Sequence, residues 1–432
     1  MFFLLFFVYL IVFIIGLNIF RTRLNPVTAF TIGFVACMCV CLINYDKWDM
    51  ERFHFNTFCL LCFGCLSFVL GCIWFQLYYK GGNVIIDKSY RVFNINKSFL
   101  LIYLLFVVVI VSYSFSYLIS VTGAENISQA AFINYHAGFV EGDNNLYQLP
   151  LVPRLLKSIV IYLNYYFLFI LANKIVHKEP LREMLLLMLI CIVSSMSNLT
   201  TGSRGSIFEP ILYFLIVYLC LKNKKEVKNN IGKIKKIIFS IFVSSFILFI
   251  FFKSGSLAGR DTSDSDFVEY MSGYVGAQPK NLDLFINEYH MPNNTPGGYT
   301  FGGIFSSFID IKPVFEMSMP RDVNGHSLGN VYSGFSSYYY DFGIFGSIIF
   351  CFFLGIFFQF LYVNTFDDTR LNKRYFLFSI FFYAYFLQGL ILNFFGERVC
   401  RLFSPLTLKC IIVIFVFDYL IRHITKCQIC NK

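Results

Sequence analysis

Asn330-Val-Tyr-Ser-Gly-Phe-Ser-Ser-Tyr-Tyr-Tyr-Asp341-Phe-Gly343 runs without a break into Ile344-Phe-Gly-Ser-Ile-Ile-Phe-Cys-Phe-Phe-Leu-Gly-Ile-Phe-Phe-Gln-Phe-Leu-Tyr-Val363. Polar groups and tyrosines precede Gly343, and an apolar run of roughly the 20 residues needed to cross hydrocarbon follows it. This is the pattern of a chain entering a bilayer from water. The stretch closes one long polar excursion, residues 253–341, set among nearly continuous apolar segments. Connections between membrane spans are normally short, so a long one that delivers polar groups to a bilayer surface is where chemistry is expected.

Hydrophobic residues form 57% of the 432 residues, charged residues 14%, and phenylalanine alone occurs 56 times. A soluble globular domain does not carry that balance. The sequence predicts an all-α polytopic membrane protein with about 11 spans. The candidates are 2–20, 27–44, 56–79, 98–119, 155–176, 183–198, 206–221, 237–252, 342–363, 375–395 and 403–421.

Basic loops stay on the cytoplasmic side, which sets the orientation. The stretch from Lys222 to Lys236 holds seven lysines and one acid, Glu226. Alternating outward from it, Arg21 and Arg23, Lys80 to Lys97, Lys174 to Arg182, Arg370 to Arg374 and the C-terminal tail share its side. The loops 46–51, 121–153 and 200–204 and the excursion fall on the other. The parity puts the N-terminus out and the C-terminus in. The first span lacks a basic flank and a cleavage site, so it reads as retained. The net charge of +10 is mostly this inside bias and gives a nucleic-acid partner no support.

The 14 cysteines lie mostly inside candidate spans, as small apolar fillers. The excursion has none, so no disulfide is expected there. Cys427-Gln-Ile-Cys430 is a lone pair at the tail, without the two further ligands a zinc site needs. Neither a metal nor a cofactor is expected.

Four constellations can carry chemistry. Thr200-Thr-Gly-Ser-Arg204-Gly-Ser206 joins two spans, and its glycines let backbone and guanidinium approach an anion at the start of the following helix. It also reads as a tight helical hairpin with a snorkelling arginine. Arg260 is followed by Asp261, Asp264, Asp266 and Glu269, either a divalent-cation site or a solvated acidic face. A charge at bilayer level, as at Arg260, is often functional. Arg321-Asp-Val-Asn-Gly-His326-Ser-Leu-Gly-Asn330-Val-Tyr332 leads into Tyr338-Tyr-Tyr340-Asp341, where His326 or Asp341 could serve as general base. Asn330, Tyr332 and Tyr340 suit sugars. An interfacial aromatic belt accounts for the tyrosines but not for His326, Asn330 or Asp341. Glu397-Arg398-Val-Cys-Arg401 offers two more arginines, as ligands or as interfacial anchors. Arg204, Arg260, Arg321, Arg398 and Arg401 thus gather on the outer side, against the charge rule. They suggest an anionic, lipid-borne ligand such as a pyrophosphate.

Within the excursion, Leu282, Phe285 and Ile286 match one face of a short amphipathic helix, expected to lie on the membrane surface. The excursion as a whole reads as a lid over a lipid-facing cavity, too interrupted to hold its own core.

The pairing of Thr201-Gly-Ser-Arg-Gly-Ser206 with Gly329-Asn-Val-Tyr-Ser-Gly-Phe335 and Tyr340-Asp-Phe-Gly-Ile-Phe-Gly346 resembles the Wzy-type O-antigen or oligosaccharide repeat-unit polymerases of bacterial surface-polysaccharide clusters. The likeness covers roughly residues 155–403 in order and layout. It implies a GT-C-like helical bundle with one long periplasmic loop, in the bacterial inner membrane, its site facing the periplasm. Domains on these terms are 1–253, about eight spans; 254–340, the loop; and 341–432, about three spans and a cytoplasmic tail. The resemblance also implies a mechanism. A glycan on undecaprenyl pyrophosphate is the donor, a sugar hydroxyl of an incoming lipid-linked repeat unit attacks its anomeric carbon, and undecaprenyl pyrophosphate leaves. Arg204, Arg260 and Arg398 would hold pyrophosphates, with Arg321 and Arg401 completing the cationic set. His326 or Asp341 would activate the acceptor, while Asn330, Tyr332 and Tyr340 orient sugars. No nucleotide sugar is needed, in keeping with the absence of a nucleotide-binding fingerprint. A flippase and a chain-length regulator are the partners it implies, beside membrane lipid.

The alternatives are an O-antigen ligase and a flippase or other transporter of the lipid-linked unit. Transporters show repeated halves and charges at mid-membrane. This chain shows no repeat, and a passive structural protein leaves the outer arginines without a purpose.

Overall fold

Apolar runs of membrane length become helices because every backbone N–H and C=O in hydrocarbon must be satisfied within its own segment. The structure, a computed structural model, describes residues 1–20, 22, 24–79, 95–139, 147–202, 204–223, 267–288, 297–305, 320–366 and 376–424. Among the described residues, seven helices are long and apolar enough to cross a membrane. The first of these are α1 (Phe2–Ile19), α2 (Pro26–Ile43), α3 (Phe55–Tyr78) and α4 (Lys97–Thr122). After a shorter helix, α5 (Ile127–Phe139), come α6 (Leu151–Val176), α7 (Leu181–Met196) and α8 (Arg204–Asn223). The excursion contributes α9 (Phe267–Gly276) and α10 (Gln278–Glu288), then strands β1 (Arg321–Val323) and β2 (His326–Gly329). Helices α11 (Phe335–Phe366), α12 (Phe376–Ile391) and α13 (Pro405–Ile424) complete the order. The expected span 237–252 and Arg260 lie outside the described residues.

The chain divides into two compact units. The first comprises Met1–Ile86 and Asp266–Thr407, and the second Asp87–Ser265 and Leu408–Lys432. In the first, α3 packs along α11. Ser67 Oγ donates to the Ile348 carbonyl at 2.7 Å and Cys72 Sγ to that of Gly355 at 3.3 Å. Aromatic rings fill the interior: Phe30 stacks on Phe68 at 4.4 Å, and Phe34 meets Phe335 edge-on at 5.7 Å. In the second unit, Phe417 of α13 packs among Phe99, Tyr103, Tyr166 and Phe167. Asp418 beside it is buried, and Tyr166 OH donates to its carboxylate at 2.8 Å. Burying that carboxylate without a donor would cost several kcal/mol.

Helix α11 begins at Phe335, earlier than the expected 342, because it is two pieces. Gly343 takes φ 64°, ψ −170°, a conformation inside no helix and nearly confined to glycine. The break turns the chain between its polar and apolar halves, and Ser347 Oγ donates back to the Gly343 carbonyl at 2.6 Å. A Cβ at that position is strained by about 1–3 kcal/mol. Gly343→Ala should therefore lower the melting temperature of the detergent-solubilised protein; no shift would mean that the break relaxes freely.

The sequence places Leu282, Phe285 and Ile286 on one helix face, and α10 forms as expected. That face does not lie on the membrane surface. The three side chains are buried at 0%, 0% and 2% exposure, and α10 packs on α2, α3 and α11. An apolar stripe says which residues need cover but not whether lipid or protein supplies it.

Candidate functional site

In the first unit Lys280, Asn281 and Asp283 of α10 are buried with its apolar residues and tie loops together. Lys280, 2% exposed, donates to the Asp49 carbonyl at 2.7 Å and lies 3.8 Å from Asp283. Asp283, 0% exposed, accepts the His54 backbone amide at 3.0 Å and faces the His54 ring Nδ1, also at 3.0 Å. Asn281 Nδ2 donates to the carbonyls of Leu328 and Val331 at 3.1 and 2.9 Å. The loop 46–51 and the excursion, which the charge rule puts on one side, thus meet at one end of this unit.

The hairpin β1–β2 turns through Asn324 and Gly325, both with positive φ (52° and 75°), the two-residue turn that matches strand twist. Its register sets Val323 opposite His326. His326 Nδ1 then lies 3.1 Å from Glu269 of α9. Arg321, at the other end of the hairpin, sits over the Tyr332 ring, 5.8 Å from its centroid. Its Nε donates to Tyr332 OH at 2.7 Å and its Nη1 pairs with Glu288 at 2.5 Å. Burial lowers the Arg321 pKa, but the hydrogen bonds it donates to Glu288 and Tyr332 more than offset this and hold it above its usual value. Burial pushes the Tyr332 phenol up, and Arg321 only partly opposes it. Lysine at 321 cannot make both contacts from one planar fork. Arg321→Lys should cost about 1–3 kcal/mol, read as a lower detergent melting temperature; an unchanged value would leave the pair without structural weight.

Asp341, buried, takes the backbone amides of Tyr299 (3.1 Å) and Thr300 (2.5 Å) on its carboxylate. The Tyr299 ring meets Tyr340 edge-on at 4.8 Å. Asp341 therefore clasps the turn at residues 297–300 to the start of α11. Asn330 is half-buried just after β2. Arg398 is half-buried between the 3-10 turns Leu392–Phe394 and Cys400–Leu402, and the second of these carries Arg401. Glu397 beside them is buried and accepts the Cys400 amide at 2.6 Å.

In the second unit, Arg204 is the first residue of α8, reached through the 3-10 turn Ser197–Thr201 and Gly202. Gly202 takes φ 62°, and a Cβ there would stand 2.3 Å from the Ala131 carbonyl, so α5 presses backbone to backbone on the turn. Pro210 cannot donate to the Ser206 carbonyl four residues back. Asn198 Nδ2 donates to that carbonyl instead, at 2.9 Å. Thr201 Oγ1 meets Ser206 Oγ at 2.8 Å and donates to the Asn198 carbonyl at 2.7 Å, closing the motif on itself. Beside this turn is a cavity of about 410 Å³ between the ends of α4 and α5, the start of α6 and the turn. Lys157 of α6 reaches Thr200 Oγ1 there at 2.5 Å, and Asn134 Nδ2 donates to the Thr200 carbonyl at 2.9 Å. The segments 121–153 and 200–204, assigned to one side by charge, thus also meet.

The structure brings Arg321 to Tyr332 and Asp341 beside Tyr340. His326 stands with Glu269, and Arg204 belongs to the other unit. Sequence reasoning missed His54, Lys280 and Asp283, whose partners lie far along the chain. It also missed the hairpin, although Asn324-Gly325 is a strong hairpin signal. Lys157 was legible as a base inside an apolar candidate span.

A helical, multi-pass membrane protein that gathers buried polar groups and arginines in its non-spanning segments has the build of a membrane-embedded enzyme. The chain belongs to the O-antigen polysaccharide polymerase Wzy family, whose model matches residues 1–426. It polymerises O-antigen repeat units, a glycosyltransferase-like reaction on lipid-linked oligosaccharide. No curated protein and no solved structure matches the chain.

Proposed function

We propose that the chain joins repeat units carried on undecaprenyl pyrophosphate at the periplasmic face of the bacterial inner membrane, in a GT-C-like bundle. The observation that carries this reading is Arg204 at the first turn of a 20-residue helix, just after a turn whose Thr200 and Thr201 line a cavity together with Arg154 and Lys157. Helix starts favour anions, and a pyrophosphate leaving group needs positive charge more than a proton. Arg204, Arg260 and Arg398 are assigned to pyrophosphate, with Arg321 and Arg401 as supporting cations. Arg321 already pairs with Glu288, so any anion it binds must displace that carboxylate.

His326 is assigned as the base that takes the acceptor hydroxyl proton, with Glu269 turning its ring. Asp341, its oxygens engaged by two amides, is assigned to hold the turn at residues 297–300 rather than to take a proton. Asn330, Tyr332 and Tyr340 are assigned to sugars. A flippase would supply the units and a chain-length regulator would set polymer length.

Deletion of the gene should leave a lipid A-core carrying one repeat unit on electrophoresis. A bare core would identify a ligase instead, and units trapped on the cytoplasmic leaflet a flippase.

A further inference from the structure

We propose that the cavity of the second unit is the subsite for an acidic sugar of the repeat unit, its carboxylate held by Lys157. This rests on the polymerase reading and adds a substrate class to it. Two cations, Arg154 and Lys157, line the cavity, and among the described residues no aspartate or glutamate does. They stand three residues apart on α6 and so share a face. The Lys157 ammonium reaches only the neutral hydroxyl of Thr200, which itself donates to the Ser197 carbonyl at 2.8 Å. Among the described residues no carboxylate pairs with Lys157. A half-buried ammonium facing an open cavity, with no counter-charge among the described residues, favours an anionic occupant.

The rest of the wall selects the kind of anion. Tyr117, Tyr135 and Tyr147 offer ring faces and hydroxyls, and Asn134 and Gln148 offer amides. Several are already set by one another: Tyr117 OH donates to the Gln148 carbonyl at 3.2 Å, and Arg154 donates to the Gln148 side-chain oxygen. Aromatic faces with fixed amides suit the apolar faces and hydroxyls of a pyranose. A volume of about 410 Å³ is of small-molecule size and larger than a diphosphate needs.

The test uses the purified full-length protein in detergent, with a glucuronic-acid-terminated disaccharide, its neutral glucose counterpart and inorganic pyrophosphate as probes. The uronate should bind about tenfold tighter than the neutral sugar, the effect of one good charge-assisted contact. Lys157→Gln should erase that preference, and Lys157→Arg should keep it, both eluting as folded protein on size exclusion. Equal binding of both sugars, or a preference unchanged in Lys157→Gln, overturns the proposal. Pyrophosphate binding in place of the uronate overturns it in favour of a diphosphate subsite. In cells, a restored long-chain polymer whose repeat unit is neutral sinks the subsite alone. A failure to restore any polymer, with uronate preference intact, sinks the polymerase reading alone.

Discussion

Arg204→Ala is expected to convert long-chain polymer into core bearing a single repeat unit, with the protein still present in the membrane. Removing one positioned donor to developing negative charge commonly lowers turnover by about 10²–10³-fold. A processive polymer needs many successive turnovers, so even the lower figure empties the long bands. Arg204→Lys should recover part of the ladder, because an ammonium keeps the charge but loses the fork that grips two oxygens at once. Asn198, Thr201 and Ser206 tie the turn together through their own side chains, so the turn should survive the change. Silver-stained gels with a membrane immunoblot decide the matter. Long ladders from Arg204→Ala would remove the residue from the reaction.

Asp283→Ala should be the most damaging change to folding. The carboxylate is 0% exposed and serves both His54 contacts, while Lys280 lies 3.8 Å away at 2% exposure. Deleting it strands the ammonium among carbonyls, and breaking a buried pair from one side costs about 3–5 kcal/mol. That is a large share of the roughly 5–15 kcal/mol that holds a typical domain. The variant should elute as aggregate, or melt well below the parent, in detergent. A monodisperse Asp283→Ala with the parent's melting temperature would show the cluster to be passive.

The membrane helices were legible because apolar runs near 20 residues, bounded by lysines and arginines, leave the backbone no other option. Expected and observed ends agree within a few residues for α1 to α4 and for α6 to α8. The start of α11 was misplaced because hydropathy registers Phe342 onward and cannot register helix on the polar side of Gly343. Helix α5 was hidden inside what reads as a polar connection. The membrane-surface placement of α10 failed for a different reason. Its stripe is covered by helices that come from both ends of the chain. His54 and Asp283 are separated by 229 positions, and nothing local in either segment announces the other. The motif from Thr200 to Ser206 was visible as a turn, but the repair of the Pro210 gap by Asn198 is a tertiary fact.

The first unit joins the opening helices to a stretch that the ribosome delivers some two hundred residues later. Until then α3 waits in the bilayer without α11, its intended neighbour, and an insertase or surrounding lipid must shelter the exposed flank. Reporter fusions at successive truncation points would sample only such unfinished chains. Sandwich insertions, which keep the downstream half attached, are the sounder way to map which side each loop occupies.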